Sequence, residues 1–289
     1  MKLFVHILLL ALLLPVSGFS EQHYWQQLLQ TGKPTAAQFE GMGLHPLPFI
    51  QRTTYQGWTD GTDVPPEAWY ENMAANLVAP YGWAMVDQED WPMDTQENRL
   101  ASSAKFVTLF NGLKAHRPEL KWGFYGMMPK RDLFRAREGV GDPTYIEWQA
   151  ENDDLAAMAA VVDGFFPSIY FFYNIDQNGA AANDGVEEYL VENIREAKRL
   201  RDTYGDPTRP IYPYIWWMRT PTGVGFLDDV AWIPMMEHAF ALTNGCVIWG
   251  GFQEAWDDTA GWWQKFRARL PKRVQAGHYS QAKSAAGQW

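Results

Sequence analysis

From residue 65 onward the chain alternates between amphipathic helical patterns and short apolar runs, and this alternation restricts its fold more than any other feature. Each apolar run is nearly continuous, as is typical of strands covered by helices on both faces. Short connections between the elements favour parallel strands joined through helices. The predicted strands are residues 83–87, 121–128, 165–173, 210–218 and 246–252.

A sixth strand is predicted at about residues 49–54, and weaker strands are expected within residues 40–64. No glycine-rich phosphate-binding loop follows the first strand, which disfavours a nucleotide-binding open sheet. We therefore predict an α/β fold, a TIM-like (β/α) barrel that is distorted or incomplete. The pattern of residues 21–32 predicts a helix. Since neither a repeat nor a linker is found, residues 21–289 are predicted to form a single domain.

Residues 1–20 have the arrangement of a secretory signal peptide. Lys2 precedes a leucine-rich run to Leu14, and small residues follow around Gly18. About a dozen apolar residues are fewer than the roughly 20 that span a bilayer, so cleavage is favoured over anchoring. We expect an exported protein, periplasmic or extracellular, that is free of the membrane after cleavage.

Composition limits the partners. A formal net charge of −10 with few basic clusters disfavours nucleic acid. The single cysteine, Cys246, cannot form an internal disulfide and is predicted to be a buried core residue. The six histidines lack metal-ligand spacing, so we predict neither a metal nor another cofactor. Fifteen tryptophans suit the stacking of sugar rings and point to a carbohydrate partner.

Carboxylates follow the apolar run that ends at Val86. Alternation places Asp87 and Glu89 on one face, with Cα atoms about 6.6 Å apart. In a parallel barrel, this end of the strand is where active sites form. Two close carboxylates do not ionise independently, and the protonated one can serve as a general acid toward a sugar oxygen. The alternative is that these acids, like Asp90, begin a surface loop.

The segment "VDQEDWP" resembles the D-x-E-x-W segment of the hyaluronidases, the family 56 glycoside hydrolases. The resemblance covers roughly residues 65–270. It implies a distorted (β/α) barrel and the hydrolysis of a polysaccharide. Four further motifs continue it in order, "KWGFYG" (121–126), "NDDLAAMAAVVDGFFPSIY" (152–170), "RPIYPYIWWM" (209–218) and "NGCVIWGGFQEAW" (244–256).

The resemblance also implies a role for individual residues. Glu89 falls on the general acid/base, and Asp87 falls on the carboxylate that orients the acetamido group of the substrate. In that family the acetamido oxygen attacks the anomeric carbon, so the enzyme needs no nucleophile of its own. Tyr170 matches a tyrosine beside the scissile bond, and Trp249 matches a tryptophan at the cleft floor. Without the resemblance, both residues would be expected in the core of the barrel.

Departures from the family pattern affect the sugar-binding wall. The segment "MMPKRD" (127–132) lacks the cleft tyrosine that the family carries there, and the family's disulfide cysteines are missing. Arg219 stands where the family has an acidic residue. It is predicted to bind a carboxylate or sulfate of the substrate, or to pair with Asp87 or Glu89; the alternative is an ordinary surface arginine.

Further substrate contacts are predicted near the ends of the last two strands. Trp216 and Trp217 point to opposite faces, so only one can reach the cleft, and Trp217 lies nearer the strand end. Gln253 and Glu254 come just after the last strand. Two other functions stay open: a hydrolase of a non-acetylated polysaccharide with Asp87 as nucleophile or base, and a non-catalytic carbohydrate-binding barrel.

Overall fold

The computed structural model describes residues 21–26, 32–170, 186–218, 227, 229–250 and 255–270. Strands and helices alternate along most of the chain, and among the described residues no helix is long and apolar enough to cross a membrane. The strands are β1 (His23–Gln26), β2 (Leu44–Pro46), β3 (Phe49–Gln51), β4 (Trp83–Asp87), β5 (Lys121–Phe124), β6 (Tyr214–Ile215) and β7 (Val247–Trp249). The helices are α1 (Ala36–Gly41), α2 (Glu67–Asn76), α3 (Gln96–His116), α4 (Leu133–Glu138), α5 (Pro143–Asp153), α6 (Ala156–Val161), α7 (Val186–Tyr204), α8 (Asp229–Leu242) and α9 (Gly261–Arg269), with a 3-10 turn at Arg52–Thr54.

The strands form two parallel sheets, in the orders β2-β1-β7-β6 and β3-β4-β5. Residues 165–168 lie between the sheets, because Phe166 bridges Tyr125 beyond β5 and Ser168 bridges Tyr214 in β6. Proline residues at 167 and 213 lack the N–H that a continuous ladder requires. The predicted strands 165–173 and 210–218 are therefore shortened to bridges and a two-residue strand in their described parts.

The remaining edge strand is β2 in the first sheet and β3 in the second sheet, and these two strands follow each other directly in the chain. The Leu47 N–H donates to the Trp25 carbonyl, and the Met85 N–H donates to the Pro48 carbonyl. The strands thus follow a circular order without one continuous closed ladder. The prediction of a distorted (β/α) barrel is confirmed.

One predicted element is wrong. Within the predicted helix 21–32, residues His23–Gln26 instead form β1, which pairs with β2 and β7. The Tyr24 N–H donates to the Cys246 carbonyl over 2.8 Å, and Tyr24 is buried. A local helical pattern is a weak preference that such long-range pairing overrides. Cys246 lies buried beside this pair, as predicted, and burial raises the pKa of its thiol.

β4 separates two hydrophobic clusters. Trp83 and Met85 pack in the cluster that holds Tyr214, whereas Ala84 and Val86 pack in the cluster that contains residues of α2 and α3. All four side chains are buried, which explains why the strand reads as a continuous apolar run. Alternation then places Asp87 on the same face as Trp83 and Met85.

Gly245 allows β1 to reach its place beside β7. Its φ is +133°, and a Cβ added there would lie 1.7 Å from the Gln22 carbonyl oxygen. We therefore expect Gly245→Ala to lower the free energy of unfolding by about 1–3 kcal/mol or more. Thermal unfolding would measure this as a lower Tm. Gly41→Ala is the matched control, because Gly41 has open space around it and ends α1; an equal Tm in both variants would contradict the prediction.

Candidate active site

Asp87 ends β4 and is half-buried. Its Oδ2 accepts a hydrogen bond of 3.1 Å from Nε2 of Gln51, its register partner at the end of β3. Its Oδ1 is buried and accepts no hydrogen bond in the described part of the protein. Burial raises the pKa of Asp87, the Gln51 hydrogen bond lowers it, and the negative charge of Asp90 raises it. A proton is therefore easier to retain here than on an ordinary aspartate.

Glu89 lies two residues later, on the loop after β4, and its side chain is exposed. The pKa of Glu89 is nevertheless raised, first because the surrounding protein displaces water from the carboxyl group and then because Asp87 is negative. Arg131 opposes this shift and Asp90 adds to it. A solvent-accessible carboxyl group with a raised pKa is suited to donate a proton to a bound substrate.

Three tyrosines lie together at the same end of the barrel. The Tyr125 ring lies 4.8 Å from the Tyr214 ring and 5.9 Å from the Tyr170 ring, measured between centroids. Burial raises the pKa of all three hydroxyls, to about 12 for Tyr125, and the charge of Asp87 contributes for Tyr170 and Tyr214. The hydroxyls therefore stay protonated near Asp87.

Tyr125 and Tyr214 are site residues that the sequence reasoning missed. Both lie in predicted strands and within motifs that carry the family resemblance, but neither was assigned a role. The sequence contains one signal that could have identified Tyr214 as a site residue. Tyr214 lies two residues before Trp216, and alternation along a strand puts both side chains on one face. The Tyr214 hydroxyl donates to Oε1 of buried Gln26 at 2.7 Å, which links the tyrosines to β1.

An aromatic wall contains Tyr170, Trp216 and Trp249. Tyr170 and Trp249 are stacked with centroids 5.9 Å apart and planes at 28°, and Trp216 meets Trp249 edge-on at 4.8 Å. Tyr170 and Trp216 are buried, whereas Trp249 is half-buried and keeps exposed surface. The structure therefore brings the predicted Tyr170 and Trp249 together and adds Trp216.

Trp217 does not belong to this wall. Its ring stacks on Trp262 of α9 at 4.0 Å with an interplanar angle of 5°, and only 2% of its surface is exposed. Trp216, whose ring lies 5.7 Å from the Tyr170 ring, is equally buried at 2% exposed surface. The choice of Trp217 as a substrate contact therefore stays a prediction.

Arg219, Gln253 and Glu254 lie outside the described residues, and their roles stay predictions. Arg131 is a described basic residue of the site that the sequence reasoning did not single out. Its Nη1 donates to Ser168 Oγ at 3.1 Å, and its charge acts on Glu89. Among the described residues, no group of three or more His, Cys, Asp or Glu side chains is arranged to hold a metal ion.

Comparison with known proteins finds a family whose sequence model matches most of the chain. The family model described as hyaluronidase matches residues 58–263. Hyaluronidase conohyal-ad1 of Conus adamsonii is 27% identical over 96 residues, which are 33% of this chain and 26% of that protein. Hyaluronidase conohyal-P1 of Conus purpurascens is 24% identical over 165 residues, 57% of this chain and 31% of that protein. The chain thus spans less than a third of the length of these relatives.

The fold is similar to that of bee venom hyaluronidase. The crystal structure of that protein superimposes with a TM-score of 0.59 at 13% sequence identity and covers 86% of this chain and 97% of the bee protein. At this identity the likeness concerns the fold alone. It agrees with the circular order of parallel strands described above.

Proposed function

Because the chain belongs to the hyaluronidase family, we propose that it is a glycoside hydrolase that cleaves a polysaccharide carrying 2-acetamido sugars. The observation that carries the proposal is the pair Asp87 and Glu89 at the carboxyl end of β4, where both carboxyl groups have a raised pKa. The tyrosines and the wall formed by Tyr170, Trp216 and Trp249 line the same end of the barrel. Such a wall suits the apolar face of a sugar ring.

In the proposed reaction, Glu89 donates its proton to the glycosidic oxygen as the bond to the anomeric carbon breaks. The acetamido oxygen of the same sugar attacks that carbon, and Asp87 accepts a hydrogen bond from the acetamido N–H. Water then opens the cyclic intermediate and gives its proton to Glu89, which restores the acid. Two displacements at one carbon retain the anomeric configuration.

Hyaluronan is the first substrate to test. Bee venom hyaluronidase, whose fold is similar, has been crystallised with a hyaluronic acid tetramer. The altered segment 127–132 keeps a second candidate open, a sugar without an acetamido group with Asp87 as nucleophile or base. Export is also proposed, from the signal-like residues 1–20 and from the venom origin of the bee protein.

A substrate panel tests the proposal. We expect the purified chain to release reducing ends from hyaluronan, chondroitin or chitin oligosaccharides, and NMR of the first product to display the retained anomer. Neutral and sulfated polymers without acetamido groups serve as controls. Cleavage of those controls alone would overturn the acetamido-assisted mechanism, and cleavage of no polymer, with binding retained, would favour a carbohydrate-binding barrel.

A further inference from the structure

The loop between β5 and α4 is fixed to α5 at Lys130. The Lys130 N–H donates to Asn152 Oδ1 at 2.8 Å, and its carbonyl accepts from Trp148 Nε1 at 2.7 Å. The Lys130 ammonium pairs with Glu151 Oε2 at 3.0 Å. Asn152 and Trp148 are both fully buried, so the backbone just before residue 131 is held by the protein interior.

The backbone just after residue 131 is held as well. Asp132 caps α4, since its Oδ1 accepts from the N–H groups of Phe134 and Arg135. Arg135 in turn pairs with Asp132 at 2.7 Å and forms two bonds of 2.9 Å to Glu151. Arg131 therefore projects from a loop that is anchored on both sides, an arrangement that preorganises a side chain for binding.

The Arg131 guanidinium is linked to Tyr125 through Ser168. Its Nη1 donates to Oγ of Ser168, which is 1% exposed, and this Oγ lies 3.2 Å from the Tyr125 hydroxyl. Arg131 is half-buried. Among the described residues, the charged groups that act on Glu89 are Asp87, Asp90 and Arg131, and the pKa of the Tyr125 hydroxyl, just after β5, responds to Glu89.

The charge of Arg131 opposes the proposed chemistry. A general acid must hold its proton, and a neighbouring cation lowers the pKa of Glu89 and favours loss of that proton. An anionic group on the bound sugar would oppose this effect, because its negative charge beside Arg131 favours the protonated form of Glu89. The same group would gain a charge-assisted hydrogen bond from a preorganised guanidinium.

We propose that Arg131 is a specificity-determining residue that binds a carboxylate or sulfate group on the sugar next to Glu89. This inference rests on the proposed hydrolase function and assigns a substrate group to one residue of the site. It has a consequence for the acid: binding of an anionic sugar makes Glu89 take up its proton more readily, whereas binding of a neutral sugar does not.

The first test compares two polymers with one linkage: hyaluronan and hyaluronan whose carboxyl groups have been reduced to alcohols. Arg131→Gln should lower kcat/KM about 10- to 100-fold on hyaluronan, the loss of a hydrogen bond between charged groups. On the reduced polymer the change should stay within about 3-fold. Arg137→Gln removes an equal charge from α4 and should leave both values unchanged. An equal loss on both polymers, or no loss on hyaluronan, would overturn the proposal.

The second test does not need turnover. Carboxyl-carbon NMR follows the titration of Glu89 with and without a hyaluronan tetrasaccharide. If the wild-type protein cleaves neither polymer, the proposed function fails, and this titration alone decides the role of Arg131. The tetrasaccharide should raise the pKa of Glu89 in the wild-type protein and not in Arg131→Gln. An absent shift, or the same shift in both proteins, would contradict the role of Arg131.

Discussion

Glu89→Gln should reduce polysaccharide hydrolysis by about 10²–10⁴-fold, the usual contribution of a general acid. Gln keeps the size and the polarity of the side chain but has no acidic proton to give to the glycosidic oxygen. Because Glu89 is an exposed residue whose carboxyl group has a raised pKa, the substitution should leave the fold intact and should not lower the Tm at pH 7. The measurement is kcat/KM on the polymer that the wild-type protein cleaves fastest.

Glu71→Gln is the matched control, because Glu71 is an exposed carboxylate on α2 outside the described site. We expect it to retain wild-type activity. Binding of the polymer to Glu89→Gln should persist, since the aromatic wall is intact. A Glu89→Gln protein that hydrolyses the polymer at the wild-type rate would exclude Glu89 as the acid and would move the search to Asp87.

The sequence predicted β4 and its acids because the information there is local. Four consecutive buried residues read as an apolar run, and the first charged residues after that run lie where the strand leaves the core. β1 could not be predicted in this way. Its strand partners lie near residue 45 and near residue 248, and the local pattern that includes Leu28 and Leu29 favours a helix.

The rest of the site depends on contacts that are distant in sequence. Arg131 is a site residue only because Trp148 and Asn152 of α5 fix its loop and Ser168 receives its side chain. Neither contact leaves a periodic signal around residue 131. Which of Trp216 and Trp217 packs beside Tyr170 is equally hard to predict, because a shift of one residue along a strand reverses every side chain.

Asp87→Asn should also abolish most of the activity, by at least about 100-fold if a preorganised charge is lost from the reacting centre. The same substitution should make the folded protein more stable at pH 7, although it removes activity. The folded protein raises the pKa of Asp87 mainly through burial, so the charged carboxylate is less favourable in the folded state than in the unfolded state. The pKa of an aspartate in the unfolded chain is about 3.9. As the pH rises above this value, the unfavourable ionisation of Asp87 in the folded state lowers the free energy of unfolding, until Asp87 is ionised in both states.

Asn carries no charge at any pH, and its carbonyl oxygen can still accept the hydrogen bond from Gln51. Asp87→Asn should therefore raise the Tm at pH 7, and the gain should vanish near pH 3, where Asp87 is protonated. Asp94→Asn is the control with the opposite sign. A hydrogen bond of 2.7 Å from the Asn98 side chain lowers the pKa of Asp94, so its charged form is favoured by folding.

Calorimetry of both variants at the two pH values separates function from structure. A carboxylate kept for structure should lose stability when it is neutralised, as we expect for Asp94. A carboxylate kept for chemistry should lose activity and gain stability, because its burial next to Glu89 is a cost that only the reaction requires. A lower Tm for Asp87→Asn at pH 7 would instead make Asp87 a structural residue, with Gln51 as its partner.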